Sequence, residues 1–397
     1  MCWNVWSVLS EEKLTNCLQI LEDHEISIAC LSESWFDAKT GPFSNIIKNA
    51  GFKLHHAYRE NKKGGGVAIL FKNNMSVKEG EESTSEYTSF EYVSVLLALH
   101  SKRTILILCI YRKQEISFSS FLDEYSELMD RMMIKGNSLL VVGDFNVWIE
   151  VKENVQSKKL STLMHAYGMS QMIQEPTHRD GHTLDHVYFN EHQIEIHHEV
   201  MKDETGFKTD HFQIILDIPA ANVIDTTTMI SLRKLKEVDL PKFKVDLLNS
   251  YSLLDCSQSF EEVIMKYDQL SREVVNEHAP VVTRSRKPFE PAWIDQEYRK
   301  NRSMRRKAER DWKRNKTDEN KEKYIEQKKV CIAMAISKRT SYYSELVGGS
   351  EHCQKSLFKI ANEVLDKNTE RVLPSHSDSK ILADEFNEYY IDKVNKI

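Results

Sequence analysis

Through the first 218 or so residues, short strand-like runs and amphipathic helical runs alternate at close intervals, and after Pro219 the strand-like texture stops. A chain patterned this way packs sheets with helices in its first half and mainly helices in its second. Leu14, Cys17, Leu18 and Leu21 recur at three- and four-residue spacing behind Ser10, which predicts a helix with a capping serine. A strand is expected from Ile26 to Leu31, another over Val67–Phe71 after Gly64, Gly65 and Gly66, and two more from Thr88 to Leu99 and from Thr104 to Tyr111. Phe121, Leu122, Tyr125, Leu128, Met129 and Met132 mark a second helix, ending near Gly136. The apolar strand Leu139–Val142 then breaks at Gly143 into a loop carrying Asp144 and Asn146. Leu160, Leu163, Met164 and Tyr167 make a third helix stopped by Gly168, and the last strands run from Thr183 to Phe189 and from Phe212 to Ile218.

From about Lys234 to Ile397 the pattern is helical almost throughout, with loop-like breaks at 283–291 and 370–380. The net charge of -6 argues against a nucleic-acid binder only if charge is spread evenly, and it is not. Between Arg299 and Arg339 stand 16 Lys or Arg against 6 Asp or Glu, so a cationic segment is attached to an acidic body. Such a segment reads either as a phosphate-neutralising tether or as a solvated helix face. The 7 cysteines are scattered with no CxxC pair, which points to reduced thiols inside a cell, nuclear or cytoplasmic. No run is long and apolar enough to cross a membrane, and the opening residues lack a signal-peptide layout.

Polar residues collect at the strand ends, where a rigid scaffold can present them. Asn4 ends a very short first strand, Glu33 follows the strand ending at Leu31, and Tyr111 ends another. Asp144 and Asn146 follow Leu139–Val142, Asp185 lies in the strand Thr183–Phe189, and Asp210 with His211 precedes the last strand. This inventory suits phosphodiester hydrolysis. Glu33 with Asp210 or Asn4 offers hard oxygen ligands for Mg²⁺ or Mn²⁺. His211, held in one tautomer by Asp185, is placed to accept a proton or to donate to phosphate. Asp144 is placed to orient or deprotonate water, and Asn146 and Tyr111 to donate where charge develops. No small-molecule cofactor is called for. His182 and His186 share a strand face, but no third zinc ligand accompanies them.

The ordered series WNVWSV (Trp3–Val8), SESW (Ser32–Trp35), GGGVAI (Gly64–Ile69), IYR (Ile110–Arg112), GDFN (Gly143–Asn146), TLDHVY (Thr183–Tyr188) and TDHF (Thr209–Phe212) resembles the endonuclease/exonuclease/phosphatase superfamily. The wording is most similar to the endonuclease domain of non-LTR, LINE-type, jockey-like retrotransposon proteins. The resemblance implies an α+β fold: two packed, mostly antiparallel sheets flanked by helices, a four-layer α/β/β/α sandwich followed by an all-helical C-terminal region. It implies a metal-dependent hydrolase that nicks DNA to leave a 3′-hydroxyl, with Asn4, Glu33 and Asp210 at metal positions and Asp144, Asn146 and His211 at catalytic ones. Tyr111 matches the phosphate-contacting tyrosine, and Asp185 the aspartate that orients the histidine.

The later helices, with Pro291-Ala292-Trp293, Tyr342-Tyr343 and Leu382–Asn387, resemble the connector that precedes reverse transcriptase, although the YxDD motif of that polymerase is absent from the sequence. The expected division is a nuclease-like domain at 1–220, a helical linker at 221–290 and a basic helical connector at 291–397. Arg302, Arg305, Arg306, Lys307, Arg310, Lys313 and Arg314 would contact DNA or RNA. Two departures stand out. Only three residues precede Asn4, so its strand is expected to lack pairing and to hold Asn4 weakly, and Trp6 stands where retrotransposon versions commonly carry arginine. An inactive nucleic-acid-binding remnant, or another phosphoesterase of the superfamily, are the alternative readings.

Overall fold

A computed structural model describes the chain except residues 38–39, 59–63, 84–85, 100–102, 136–137, 152, 192–193, 203–205, 219–228, 255–258, 286–290, 351–352, 366–377 and 396–397. Gly136, Pro219, Cys256 and most of the two expected loop-like breaks therefore lie outside the described residues.

The first half builds β1 (Cys2–Asn4), α1 (Glu11–Asp23), β2 (Ile28–Ser32), α2 (Gly41–Asn49), β3 (Phe52–Ala57), β4 (Val67–Lys72), β5 (Val77–Glu82), β6 (Phe90–Ala98) and β7 (Thr104–Arg112). It continues with α3 (Phe118–Met133), β8 (Ser138–Asp144), α4 (Val155–Ala166), β9 (Ser170–Gln171), β10 (Asp185–Phe189), β11 (His197–Met201) and β12 (Gln213–Asp217). One six-stranded sheet has the order β11-β12-β1-β2-β4-β3 and the other β5-β6-β7-β8-β10-β9. Each contains a single parallel pair, β1 with β2 and β7 with β8, and is otherwise antiparallel.

The alternation of side chains along the strands makes the layers. Val67, Ile69 and Phe71 of β4 meet Leu140 and Val142 of β8 between the sheets. The intervening Ala68 and Leu70 face α1 and α2, while Leu139 and Val141 face α3 and α4. Three apolar cores thus separate four layers, α/β/β/α. Ser10 caps α1 as its position suggests, its side chain accepting from Lys13 N at 3.0 Å.

Beyond the sandwich lie β13 (Met229–Arg233), α5 (Leu240–Tyr251), α6 (Phe260–His278), β14 (Val281–Ser285), α7 (Gln296–Arg314), α8 (Asp318–Gly348), α9 (Gln354–Val364) and α10 (Ser379–Asn395). The region is helical as expected, with one correction: β13 and β14 pair as a two-stranded antiparallel hairpin, Met229 opposite Ser285. The α7–α8 pair docks on α1. The Arg305 guanidinium lies 2.9 Å from Asp23 Oδ1 and 2.8 Å from Glu22 Oε2, and the Tyr324 hydroxyl donates to Asp23 Oδ2 at 3.0 Å. Further along, Arg339 pairs with Glu11 at 3.0 Å. Burial pushes the Asp23 carboxyl up to about 6, against the pull of Arg305. Part of the cationic segment therefore answers acidic groups of its own chain.

That docking corrects the expectation for Arg305, which is buried and faces inward rather than toward a phosphate. Arg306 pairs with Glu22 at 2.5 Å, Lys313 with Glu309 at 2.5 Å, and Arg302 lies 4.0 Å from Glu22. Lys307, Arg310 and Arg314 are exposed.

Candidate active site

The site is assembled at one end of the sandwich, where β1 and β2 of one sheet meet β7, β8 and β10 of the other. Strand register sets its first row: Tyr111 of β7, Asp144 of β8 and Asp185 of β10 stand opposite one another on adjacent strands. Asp144 is therefore the last residue of a strand rather than part of a loop.

Asn4 enters from the facing sheet. Although β1 has three residues, it runs between two partners, with Trp3 opposite Leu31 and Cys2 opposite Ile214, and the Met1 amine donates to Ile28 O at 2.9 Å. Asn4 is buried and its Nδ2 donates to Glu33 Oε1 at 3.0 Å and to Asp144 Oδ2 at 2.9 Å. The expected weak hold on Asn4 is corrected: pairing on both sides substitutes for strand length.

Strained backbone surrounds these groups. Among the described residues six non-glycine residues have positive φ, and five of them lie in the loops of the site: Trp6 (39°), Ser7 (78°), Glu33 (51°), Trp35 (61°) and Asn146 (53°). Neighbouring backbone holds them there. Ser34 N and Trp35 N donate to Gly66 O and Gly65 O at 3.1 and 2.9 Å, and Gly66 N in turn donates to the buried Glu91 carboxylate at 2.6 Å. Gly143, at φ 145°, brings β8 so close to β7 that a Cβ there would lie 1.9 Å from Ile110 O.

His211 completes the network. Its Nδ1 lies 2.7 Å from Asp185 Oδ2, and its Nε2 lies 4.0 Å from both Asp144 Oδ2 and Asp210 Oδ1. Burial works against a charge on this ring, but Asp185, with Asp144 and Asp210 beyond it, holds it up at about 10. Burial pushes the Asp144 carboxyl up to about 7; His211 opposes the rise, Asp185 adds to it, and hydrogen bonds from Asn4 and Asn146 N limit it. Imidazolium and carboxyl thus stand side by side, the second poised to exchange a proton near neutrality.

Every residue expected in the catalytic and metal set lies at this end of the sandwich, Tyr111 by its register with Asp144. Asn4, Glu33, Asp144, Asp185 and His211 form one hydrogen-bonded and charge-paired series. Asp210 sits on the open side, 48% exposed at its side chain. Asn146 is half-buried, its Nδ2 donating to Arg112 O at 2.8 Å and its Oδ1 accepting from Gln114. His182 stacks on Trp148 and pairs with Glu150 at 2.8 Å, whereas His186 is buried against Phe145, so they do not converge.

His178 escaped sequence reasoning. Its Nε2 lies 3.2 Å from Asp210 Oδ2 and its ring meets that of His211 edge-on at 4.9 Å. A lone histidine ahead of a turn gives no local signal; its bridge to His211 brings it to the site. Glu91 and Thr177 were missed likewise. Thr177 Oγ1 accepts from Asp185 N at 3.0 Å and fixes the start of β10.

The fold, the loops and this ordered set of groups agree with one further finding: the sequence model described as Endonuclease/Exonuclease/phosphatase family matches residues 1–211, more than half of the chain. The chain belongs to the endonuclease/exonuclease/phosphatase family. Solved structures similar to it include the human Nocturnin catalytic domain, at 17% identity over 55% of this chain and 92% of that one, with a TM-score of 0.42. The endonuclease domain of TRAS1, a telomere-specific non-LTR retrotransposon, follows at 16%, 55%, 95% and 0.42, and truncated Caenorhabditis elegans TDP2 at 12%, 55%, 95% and 0.41. A comparison with curated proteins finds no match. The family match ends at His211, so α5 to α10 lie beyond it.

Enzymes of the endonuclease/exonuclease/phosphatase family use divalent metals, and the donors here fit a hard cation. Among the described residues, His178–Asp210–His211 and Asp144–Asp185–His211 are the groups whose ligand atoms lie close enough together to share an ion. Among the described residues, Asp185 Oδ1 is buried without a hydrogen-bond partner, and Glu33 is half-buried, its Oε2 accepting from Trp35 Nε1 at 3.4 Å. Carboxylate oxygens of this kind suit Mg²⁺-like ions better than soft metals.

Proposed function

We propose that the chain is a Mg²⁺- or Mn²⁺-dependent endonuclease of retrotransposon type that hydrolyses DNA phosphodiester bonds and leaves a 3′-hydroxyl. The observation that carries this reading is the continuous series from Asn4 through Asp144 to His211 and Asp185, joined by contacts of 2.9, 4.0 and 2.7 Å. Glu33, Asp210 and Asn4 would hold the cation, which when bound supplies Lewis-acid stabilisation of the phosphoryl oxygens.

The protein's own groups do the rest. Asp144 in its ionised form takes a proton from the attacking water, whose oxygen bonds to phosphorus as the P–O3′ bond breaks; the departing 3′-oxygen takes up a proton from solvent, leaving a 3′-hydroxyl and a 5′-phosphate. His211, kept cationic and fixed in orientation by Asp185, donates to a phosphoryl oxygen as negative charge builds there. Tyr111, in register with Asp144, and Asn146 supply further donors. The Asn4 amide keeps the Glu33 and Asp144 carboxylates apart while satisfying both. The exposed Lys307, Arg310 and Arg314 serve as a salt-sensitive nucleic-acid tether, for DNA and for RNA.

The test is a time course of supercoiled plasmid nicking by the purified chain with Mg²⁺, with EDTA and with His211→Ala. Metal-dependent nicking that the substitution abolishes is expected; nicking that survives it would overturn the assignment. Salt-sensitive binding with no cleavage by a folded protein would favour the inactive remnant, and phosphate release without nicking another phosphoesterase.

A further inference from the structure

Three polar residues of the site are each followed, two positions along the chain, by a tryptophan: Asn4 by Trp6, Glu33 by Trp35 and Asn146 by Trp148. Their indoles are not equivalent. Trp35 is half-buried, donates to Glu33 Oε2 at 3.4 Å and lies against Gly64, where an added Cβ would touch its ring at 3.7 Å. It is a positioning residue for Glu33. Trp6 and Trp148 instead are 54% and 46% exposed, large values for side chains of this size.

Both exposed indoles stand on backbone that the site itself fixes. Trp6 N donates to Asn4 Oδ1 at 3.1 Å, and Trp6 O accepts from Lys13 Nζ at 2.9 Å. Trp148 follows the Asn146 loop, which is tied to β7 through Arg112. One face of Trp148 is covered by the His182 imidazole, parallel to it at 4.1 Å and 2°, which steadies the indole while 46% of the residue stays exposed. Exposed indoles on rigid loops, two residues from groups that handle phosphate, have the layout of a stacking platform beside a phosphodiester.

We infer that Trp6 and Trp148 stack unpaired nucleobases flanking the scissile phosphate, so that the preferred substrate is a nucleic-acid strand with splayed or single-stranded bases rather than a fully paired duplex. This rests on the phosphodiesterase reading of the site and names its substrate class. Stacking needs only the π-face of a base, so the sugar is not specified, and DNA and RNA strands share the chemistry.

The experiment measures equilibrium binding of fluorescein-labelled 12-mers of dT, of rU and of abasic deoxyribose in EDTA, with cleavage of the same strands followed separately in Mg²⁺. Parent, Trp6→Ala, Trp148→Ala, Trp148→Phe and the double alanine variant are compared, with circular dichroism on each. The expected result is a Kd for base-bearing strands at least about fivefold weaker in each alanine variant, restored by Trp148→Phe, with the abasic strand bound equally by all. The dT and rU arms show which sugar is favoured. Equal parent affinity for base-bearing and abasic strands, or alanine variants that bind as the parent does, would overturn the inference. Stacking without cleavage supports the platform and sinks the endonuclease; cleavage with no preference for bases sinks the platform alone.

Discussion

His211 Nδ1 and Asp185 Oδ2 lie 2.7 Å apart, both shut away from solvent, with Asp185 fixed in turn through Thr177. An aspartate so placed chooses the tautomer of the ring and steadies its charge. Asp185→Asn keeps the shape and removes the charge, so kcat for nicking is expected to fall by about 10²–10⁴-fold. Substrate affinity should stay near that of the parent, while the melting temperature falls, because the charge that holds His211 protonated in the folded chain is gone. Steady-state kinetics beside thermal melts check this, and an undiminished kcat would remove His211 from the proposed chemistry.

The pH dependence follows from two raised groups. Asp144 titrates near 7 in the folded chain but at about 3.9 when unfolded, so between those values the folded state holds more protons and stability falls as pH rises. His211, at about 10 when folded against about 6.5 unfolded, extends the fall through the next window. Its contribution is full below the unfolded value and gone above the folded one. Urea unfolding at pH 5, 7 and 10 should show a continuous decline, flattened in the lower half by Asp144→Asn and in the upper half by His211→Gln. Nicking should rise through pH 7 as Asp144 ionises.

Arg305 and its exposed neighbours should behave oppositely. Arg305→Ala removes the buried charge partner of Asp23, leaving it the Tyr324 hydroxyl while Glu22 keeps Arg306, and should destabilise the protein by about 3–5 kcal/mol. Changing Lys307, Arg310 and Arg314 to glutamate should leave the melting temperature nearly unchanged. It should instead flatten the slope of log binding constant against log salt for DNA, by roughly 0.9 per lost phosphate contact. Thermal melts with a salt titration separate the two effects.

Gly143→Ala probes the close approach of β8 to β7. With φ at 145° and Ile110 O 1.9 Å from the new Cβ, the strands must separate, at a cost expected to exceed about 2 kcal/mol. Because Asp144 is next in the chain, nicking should fall even in preparations that fold at low temperature.

Which strands were legible follows from where they lie. The interior strands β2, β4, β6, β7, β8, β10 and β12 carry apolar runs that sequence periodicity picks out. The four edge strands β3, β5, β9 and β11 went unnoticed, because an edge buries little and its residues stay polar, as in Val77–Glu82 and His197–Met201. The site residues were legible as a set because turns and strand ends concentrate them. Their supports were not: His178, Glu91 and Thr177 acquire meaning only from partners distant in sequence. Arg305 reads like the arginines beside it, and only the acidic end of α1, some 280 residues earlier, turns it inward.

The three-residue strand β1 closes its sheet by pairing with Ile214, so the first and last segments of the sandwich are neighbours. A pairing of such long range forms late and slowly, after the intervening chain has collapsed. During synthesis, Asn4 leaves the ribosome long before His211 exists to stand beside it, and the catalytic set cannot assemble until β12 has emerged. A site wired in this order is absent from the nascent chain until the sandwich is nearly complete, and a chain cut short before that strand never builds it.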